Sequence, residues 1–247
     1  MQKNFQTYSN YYDLLYKDKD YNSEANYIIK QIKKFAPKTK SILEFGCGTG
    51  GHGILLQKKG FNVFGLDKSK YMIQEALKKG LSCQTANINN FKLKEKFNVI
   101  TSLFHVVSYL NSNEELIATF LNANKHLKKD GIFLFDVWYS PAVYKQKASI
   151  KIKKIKNKEI SVIRTAKPKI DINNNIVNVE FEIIVKDLKT KKITKLLENH
   201  SMRHFSIPEI KLLAKLTNFK VIKIEEFLTG NRPSENTWGV CFILKKI

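Results

Sequence analysis

Apolar positions fall into two patterns along this chain. In the first half they come as short, nearly unbroken runs: Ser41–Phe45, Asn62–Leu66, Leu81–Ala86, Phe97–Leu103 and Ile132–Val137. Such runs suit strands buried on both faces of a sheet. Between them lie segments with helical periodicity. Asn22 to Phe35 puts Ile28, Ile29, Ile32 and Phe35 on one side and stops at Pro37. Gly51 to Lys59 is amphipathic. Ser69 caps a helix running to about Lys79, which Gly80 terminates, and a further helix runs from about Asn113 to Lys128. Asp130-Gly131 is read as a turn into the fifth strand. Strand and helix thus alternate, which predicts an α/β fold with a parallel, doubly wound sheet.

The second half alternates apolar and polar residues instead. Ser149–Ile155, Ile160–Ala166, Ile176–Lys186 and Ile193–Met202 read as strands of an inserted antiparallel β ribbon, separated by turns such as Asn173-Asn174-Asn175. Ser206-Ile207-Pro208-Glu209 opens a helix that ends at Asn218, and Phe219–Phe227 and Thr237–Leu244 close the sheet. The expected organisation is a single domain over 1–247, with an N-terminal helical cap at 1–40 and a substrate-side β subdomain at 140–205.

The junction after the first strand carries the most chemistry. It reads Glu44-Phe45-Gly46-Cys47-Gly48-Thr49-Gly50. A strand, a glycine-rich turn and a helix form a nucleotide-binding element, because glycine lets a ligand lie against bare backbone. Asp67 ends the second strand about 20 residues past Gly46, where an acid accepts hydrogen bonds from ribose hydroxyls. Gly46-x-Gly48-x-x-Gly51 also fits the dinucleotide pattern, and a plain structural turn is a third reading. Glu44, two residues before the first glycine, favours a ligand with a positively charged amine beside an adenosine over one carrying pyrophosphate.

On these residues the chain resembles the class I S-adenosylmethionine (SAM)-dependent methyltransferases, from about Tyr11 to the C-terminus. Glu44 to Gly50 matches the family's first motif and Asp67 its second. The resemblance implies a Rossmann-like, mostly parallel seven-stranded sheet with an antiparallel last strand. It implies SAM as cofactor and S-adenosylhomocysteine as product. It places Gly46, Cys47, Gly48, Gly50, Asp67 and Lys68 around the cofactor, Asn87 and Ile88 beside the adenine, and Leu103 at the methionine portion. The Tyr12-Asp13-x-x-Tyr16 segment is similar to that of amino-sugar members and puts Tyr16 over the cofactor.

Composition narrows the setting. The 247 residues carry 43% hydrophobic residues, enough for one sizeable core. No leader-like apolar segment and no run near membrane-spanning length occurs, so a cytoplasmic protein without membrane attachment is expected. Cys47, Cys83 and Cys241 are odd in number and widely spaced, which fits a reducing compartment and offers no metal site. The formal charge of +21 comes from lysines apart from Arg164, Arg203 and Arg232. Nucleic-acid sites draw on arginine for its bidentate fork, so scattered lysines read first as solvated surface. An RNA methyltransferase stays as an alternative, with steep salt dependence as its mark.

On the acceptor side, His105 lies just past the fourth strand, where it serves either as a general base or as a buried structural histidine. His126, late in a helix, reads as structural. Tyr109, Trp138, Tyr139, His200, Arg203 and Trp238 are the candidate substrate-side residues. Arg203 stands out because arginine is scarce, although a surface ion pair explains it too. The fourth strand is followed by Ser102-Leu103-Phe104-His105 and lacks the Asn/Asp-Pro-Pro-Tyr/Phe motif of the DNA and exocyclic-amine enzymes. The expected function is methylation of a small molecule, with an amino group favoured and a nucleotide-linked sugar as one acceptor. O-methylation with His105 as base, a non-catalytic SAM-binding regulator and an NAD-dependent oxidoreductase are the rivals. The ribbon either covers the active site or pairs across a homodimer.

Overall fold

The computed structural model describes residues 14–247. It divides into two compact units. The larger, Asp20–Lys145 with His204–Ile247, holds the α/β sheet; the smaller joins the segment ending at Lys19 to Gln146–Arg203.

The larger unit begins with α1 (Tyr21–Phe35), whose Asp20 cap accepts from the Ser23 amide and whose Lys33 and Lys34 sit in the last turn. Then come β1 (Ser41–Phe45), α2 (Gly51–Lys58), β2 (Asn62–Asp67), α3 (Lys70–Lys78), β3 (Ser82–Thr85) and β4 (Phe97–Ser102). A 3₁₀ turn, Val106–Tyr109, leads to α4 (Asn113–His126), then β5 (Leu127–Trp138) and the short α5 (Ser140–Lys145). After the smaller unit, α6 (Ile207–Leu216) is followed by two closing strands. Ser112 with Glu115, and Ser206 with Glu209, form the capping boxes of α4 and α6.

In the smaller unit β6 (Lys151–Lys156), β7 (Ile160–Asp171), β8 (Ile176–Asp187) and β9 (Ile193–Arg203) form an antiparallel sheet in that order. Asp171 and Asp187 accept from backbone amides two and three residues on, which builds the hairpin turns. Leu15, Val162, Ile183, Val185 and Leu196 make its apolar core.

The chain closes with β10 (Phe219–Glu226) and β11 (Gly239–Lys246). The main sheet runs β10-β11-β5-β4-β1-β2-β3. β1, β2, β3, β4 and β5 are mutually parallel, and β11 is antiparallel to both β5 and β10. Successive strand residues point to opposite faces, so each strand feeds two cores. Ile42, Val63, Val99, Ile132 and Leu134 meet Ile28 and Ile32 of α1 and Leu56 of α2. Leu43, Ile100, Phe133, Phe135 and Phe242 meet Phe120 of α4 and Ile210 of α6. Phe135 stacks on Phe242 at 5.6 Å, across the β5–β11 pairing.

At the amino ends of β1 and β4, the Asn98 side-chain carbonyl accepts from the amides of Lys40 and Ser41 at 3.1 Å each and from the Ser41 hydroxyl at 3.0 Å. The Asn98 amide donates back to that hydroxyl at 3.2 Å.

The architecture agrees with the expected fold class, and three local readings change. β5 takes in Leu127, ahead of Asp130-Gly131, and the expected turn survives as an irregularity inside it: Asp130 takes φ 61° and the register onto β4 shifts between the Phe97–Leu127 and Val99–Ile132 pairs. α5 was hidden by its single proline and short length. β7 runs past Ala166 through Pro168 to Asp171. β6 stops pairing at Ala166, so beyond that point β7 has a free edge, where a residue without an N–H is tolerated.

Candidate active site

Where strand order reverses, between β1 and β4, the carboxyl ends of a parallel sheet leave a crevice for ligands. The glycine turn lies there. Gly46, Gly48 and Gly50 take φ of 67°, 52° and 83°. Two of them do different jobs. A Cβ on Gly46 would lie 2.4 Å from a Val106 methyl, so this glycine lets the 3₁₀ turn after β4 pack against the loop. A Cβ on Gly48 would meet nothing within 4 Å among the described residues, so this backbone is open on that side. Gly50 caps α2 without a side chain, leaving the helix's first amides directed at the crevice.

Two carboxylates border this turn. Asp67, at the end of β2, accepts from the Gly48 amide at 3.0 Å through Oδ2 and from the Ser69 amide at 2.8 Å through Oδ1. Burial raises its pKa against these two bonds and the nearby Lys68. Glu44 is 1% exposed, and its Oε2 has no hydrogen-bond partner. Burial first, and the Asp67 charge second, push its carboxyl up to about 8, with the Gly53 amide pulling the other way. His52 stands behind it: Nδ1 is 3.9 Å from Glu44 Oε1 and Nε2 is 2.6 Å from Glu24. An orphaned buried carboxylate beside a second acid calls for a cation. Bare backbone at Gly48 and an acid at the end of β2 suit an adenosine. These features fit SAM, which carries a sulfonium and an ammonium, and disfavour a ligand presenting pyrophosphate at this point.

A test follows from the sign of the Glu44 shift. A bound ammonium favours the carboxylate, so SAM affinity is expected to rise with pH until Glu44 is ionised near 8, and Glu44→Gln to flatten that slope. In the ligand-free protein the folded state keeps a proton that the unfolded chain loses above its ordinary pKa of 4.5. Its stability therefore falls as pH rises from there to about 8. Calorimetric titration and thermal melts across that range check both; a pH-independent affinity in the wild type would remove Glu44 from the cofactor site.

The other expected residues fall as follows. Cys47 is buried with its Sγ against Gly65, and burial raises its thiol far above the ordinary range, so it shapes the turn without reactivity. Asn87 is exposed and Ile88 buried in the loop after β3, which Asn122 pins by donating to the carbonyls of Ile88 and Phe91. Leu103 directly follows β4, with its side chain 3% exposed in the core. Lys68 places its Nζ over the Tyr109 ring at 5.7 Å. His126 is structural: Nδ1 contacts the Asn122 carbonyl at 2.8 Å and Nε2 accepts from the Leu93 amide. Tyr11, Tyr12 and Asp13 lie outside the described residues.

His105 is held tightly. Phe104 and His105 both adopt the left-handed region, φ 63° and 62°, which side chains other than glycine rarely do. Asp136, 1% exposed near the end of β5, accepts from the backbone amide of His105 and lies against its ring. The amide is 3.3 and 3.2 Å from its two oxygens, and ring Nδ1 is 2.6 Å from Oδ2. Burial works to raise Asp136, but the charge and hydrogen bonds of His105, with the more distant His52, outweigh it, and its pKa is lowered. Trp138 meets the His105 ring edge-on at 6.1 Å and Trp238 at 5.3 Å, while the Tyr139 amide donates to the Trp238 carbonyl. His105, Trp138, Tyr139 and Trp238 are thus brought together. The sequence places Asp136 at the carboxyl end of a strand but gives it no role, and it does not single out His52. Asp136 did carry a signal, an acid closing a buried strand, as Glu44 and Asp67 do.

Tyr16, His200 and Arg203 belong to the smaller unit. There Arg164 donates to the Tyr16 hydroxyl at 3.2 Å and lies over the rings of Tyr16 and Phe181 at 5.7 and 4.8 Å. His200 meets Phe181 edge-on at 5.1 Å with Nε2 3.4 Å from Glu198, and Arg203 pairs with Ile176 at the end of β9.

Among the described residues no group of three or more His, Cys, Asp or Glu could hold a metal ion, and no helix is long and apolar enough to cross a membrane.

Comparison with known proteins follows the same lines. A methyltransferase domain model matches residues 21–224. The dTDP-3-amino-3,4,6-trideoxy-alpha-D-glucopyranose N,N-dimethyltransferase of Streptomyces venezuelae is 31% identical over 137 residues, 54% of this chain and 58% of that protein. The chain spans little more than half the length of the amino-sugar relatives it matches. The fold is shared with a SAM-dependent methyltransferase from Clostridium acetobutylicum, TM-score 0.83 at 20% identity over 98% of both chains. It is shared also with DesVI of Streptomyces venezuelae, TM-score 0.82 at 24% identity over 97% and 98%. With its glycine turn, its strand-ending acids and this domain match, the chain belongs to the family of SAM-dependent methyltransferases.

Proposed function

We propose that this chain transfers a methyl group from SAM to the amino group of a small acceptor, an amino sugar linked to a nucleotide. The observation that carries this reading is the His105–Asp136 pair set among Trp138, Tyr139 and Trp238 at the carboxyl ends of β4 and β5, beside the cofactor turn. Relatives named for dTDP-amino-sugar N,N-dimethylation support it.

When bound, SAM supplies an electrophilic methyl carbon on a sulfonium. Asp67 would hold the ribose, the Gly48 backbone and the loop at Asn87 and Ile88 would cradle the adenosine, Glu44 would face the ammonium, and the backbone at Leu103 would line the methionine portion. The acceptor nitrogen must arrive near the methyl carbon, in line with the departing sulfur, which is mostly a matter of positioning. Trp138, Tyr139, Trp238 and Tyr109 give the acceptor apolar walls with polar edges. An amine is a nucleophile only without its extra proton, and His105 is the group in reach to take it.

The test is incubation of the protein with SAM and dTDP-linked 3-amino or 4-amino sugars, read by mass spectrometry, with the matching hydroxy sugars alongside. Methyl addition to amino sugars alone is expected. Addition to the hydroxy sugars alone would replace this reading with O-methylation, which the His105–Asp136 contact also suits, since a hydroxyl acceptor needs a base. Turnover of neither would overturn the acceptor class.

A further inference from the structure

We propose that Asp136 is the positioning residue of the methyl transfer: it fixes His105 as the tautomer with its proton on Nδ1, so that Nε2 is the base facing the acceptor. This rests on the reading of His105 given above.

The geometry is specific. One buried carboxylate accepts from the His105 backbone amide and lies 2.6 Å from its ring Nδ1, a buried nitrogen that has no other partner among the described residues. The amide contact is made with His105 and Phe104 in left-handed backbone conformations, so the carboxylate helps hold the costly turn that aims the ring. A carboxylate cannot donate, so a neutral imidazole beside it must place its proton on Nδ1 and leave Nε2 as acceptor. The ring remains 20% exposed, enough to exchange a proton with solvent or acceptor. The charged and titratable groups facing Asp136 are few: His105 itself, His52 from α2, and Cys241 from β11, whose thiol burial keeps neutral. In the transfer, the bond from the methyl carbon to sulfur breaks as the bond to nitrogen forms. The electron pair stays on sulfur as the thioether. The proton released by the acceptor goes to Nε2, and the imidazolium so formed is stabilised by the Asp136 charge until solvent takes the proton.

Asp136→Asn is the informative variant. Its amide oxygen can still receive the His105 backbone N–H, but its NH₂ would donate to Nδ1 and force the proton to Nε2. The expected result is a fall in kcat of roughly 10²-fold with the acceptor KM little changed. Combined with His105→Gln, the loss should be no larger than that of either single change, because the two act as one unit. Independently of any acceptor, ¹⁵N-edited spectra of the ligand-free protein should show His105 protonated on Nδ1 in the wild type and on Nε2 in Asp136→Asn. A wild-type Nε2–H signal, or no change on substitution, overturns the proposal. If no amino sugar is methylated but the tautomer switches as described, the acceptor assignment fails and the role of Asp136 stands.

Discussion

Gly46→Ala is expected to lower SAM affinity by at least about 10²-fold and to destabilise the fold. Two costs combine. At φ 67° an L-residue with a Cβ pays about 1–2 kcal/mol. The new methyl would also lie 2.4 and 2.6 Å from the two Val106 methyls. Valine cannot step aside, because its branched Cβ leaves few rotamers. The 3₁₀ turn Val106–Tyr109 must shift, and with it His105, which precedes it, and Tyr109. Gly48→Ala makes the comparison useful. Among the described residues its Cβ meets no atom within 4 Å, so its fold should lose only the backbone cost at φ 52°. Its methyl would instead occupy the face offered to the adenosine. Melting temperature and calorimetric affinity separate the two: Gly46→Ala should lose both, Gly48→Ala mainly affinity. A Gly48→Ala protein that binds SAM as the wild type does would show that the cradle lies elsewhere.

Asp67→Ala is expected to weaken SAM binding roughly 10- to 100-fold, the scale of hydrogen bonds from ligand hydroxyls to a charged acceptor. Part of that loss is local. Asp67 also satisfies the amides of Gly48 and Ser69, so its removal loosens the turn and the start of α3. Asp67→Asn discriminates: it keeps a carbonyl for one amide while presenting a donor to the ribose, and its affinity should fall by about tenfold with little change in melting temperature. Full affinity in a folded Asp67→Ala protein would remove this residue from the site.

How far the sequence carried these conclusions depends on distance along the chain. The runs Ile42–Phe45 and Val99–Thr101 announce buried strands because nearest neighbours are apolar on both faces. The glycine turn and Asp67 are equally legible, since their meaning lies in spacing within one β-α-β unit. β5 begins ahead of the turn that Asp130-Gly131 announces, because Leu127 pairs with Phe97 across a register shift that the polar run Lys128-Lys129-Asp130 does not reveal. The contact of Asp136 with His105 joins residues 31 positions apart, one on β5 and one in the loop after β4, and no local pattern encodes such a meeting. Glu44 was noticed for its charge, but its proton affinity comes from burial and from Asp67, which only the folded chain brings near. Arg164 went unremarked beside Arg203, because stacking over Tyr16 and Phe181 depends on strand pairing and on a segment far upstream.

The Asn98 side chain has a mechanical consequence. It clasps the first residues of β1 to β4 at the end of the sheet opposite the cofactor turn, with three acceptor bonds on a single oxygen. From that clasp the two strands stay paired up to the crevice, Ile42 with Val99 through Phe45 with Ser102. Asn98 therefore acts as an index pin: it sets at one end of the sheet the register that places Glu44 against Thr101 at the other.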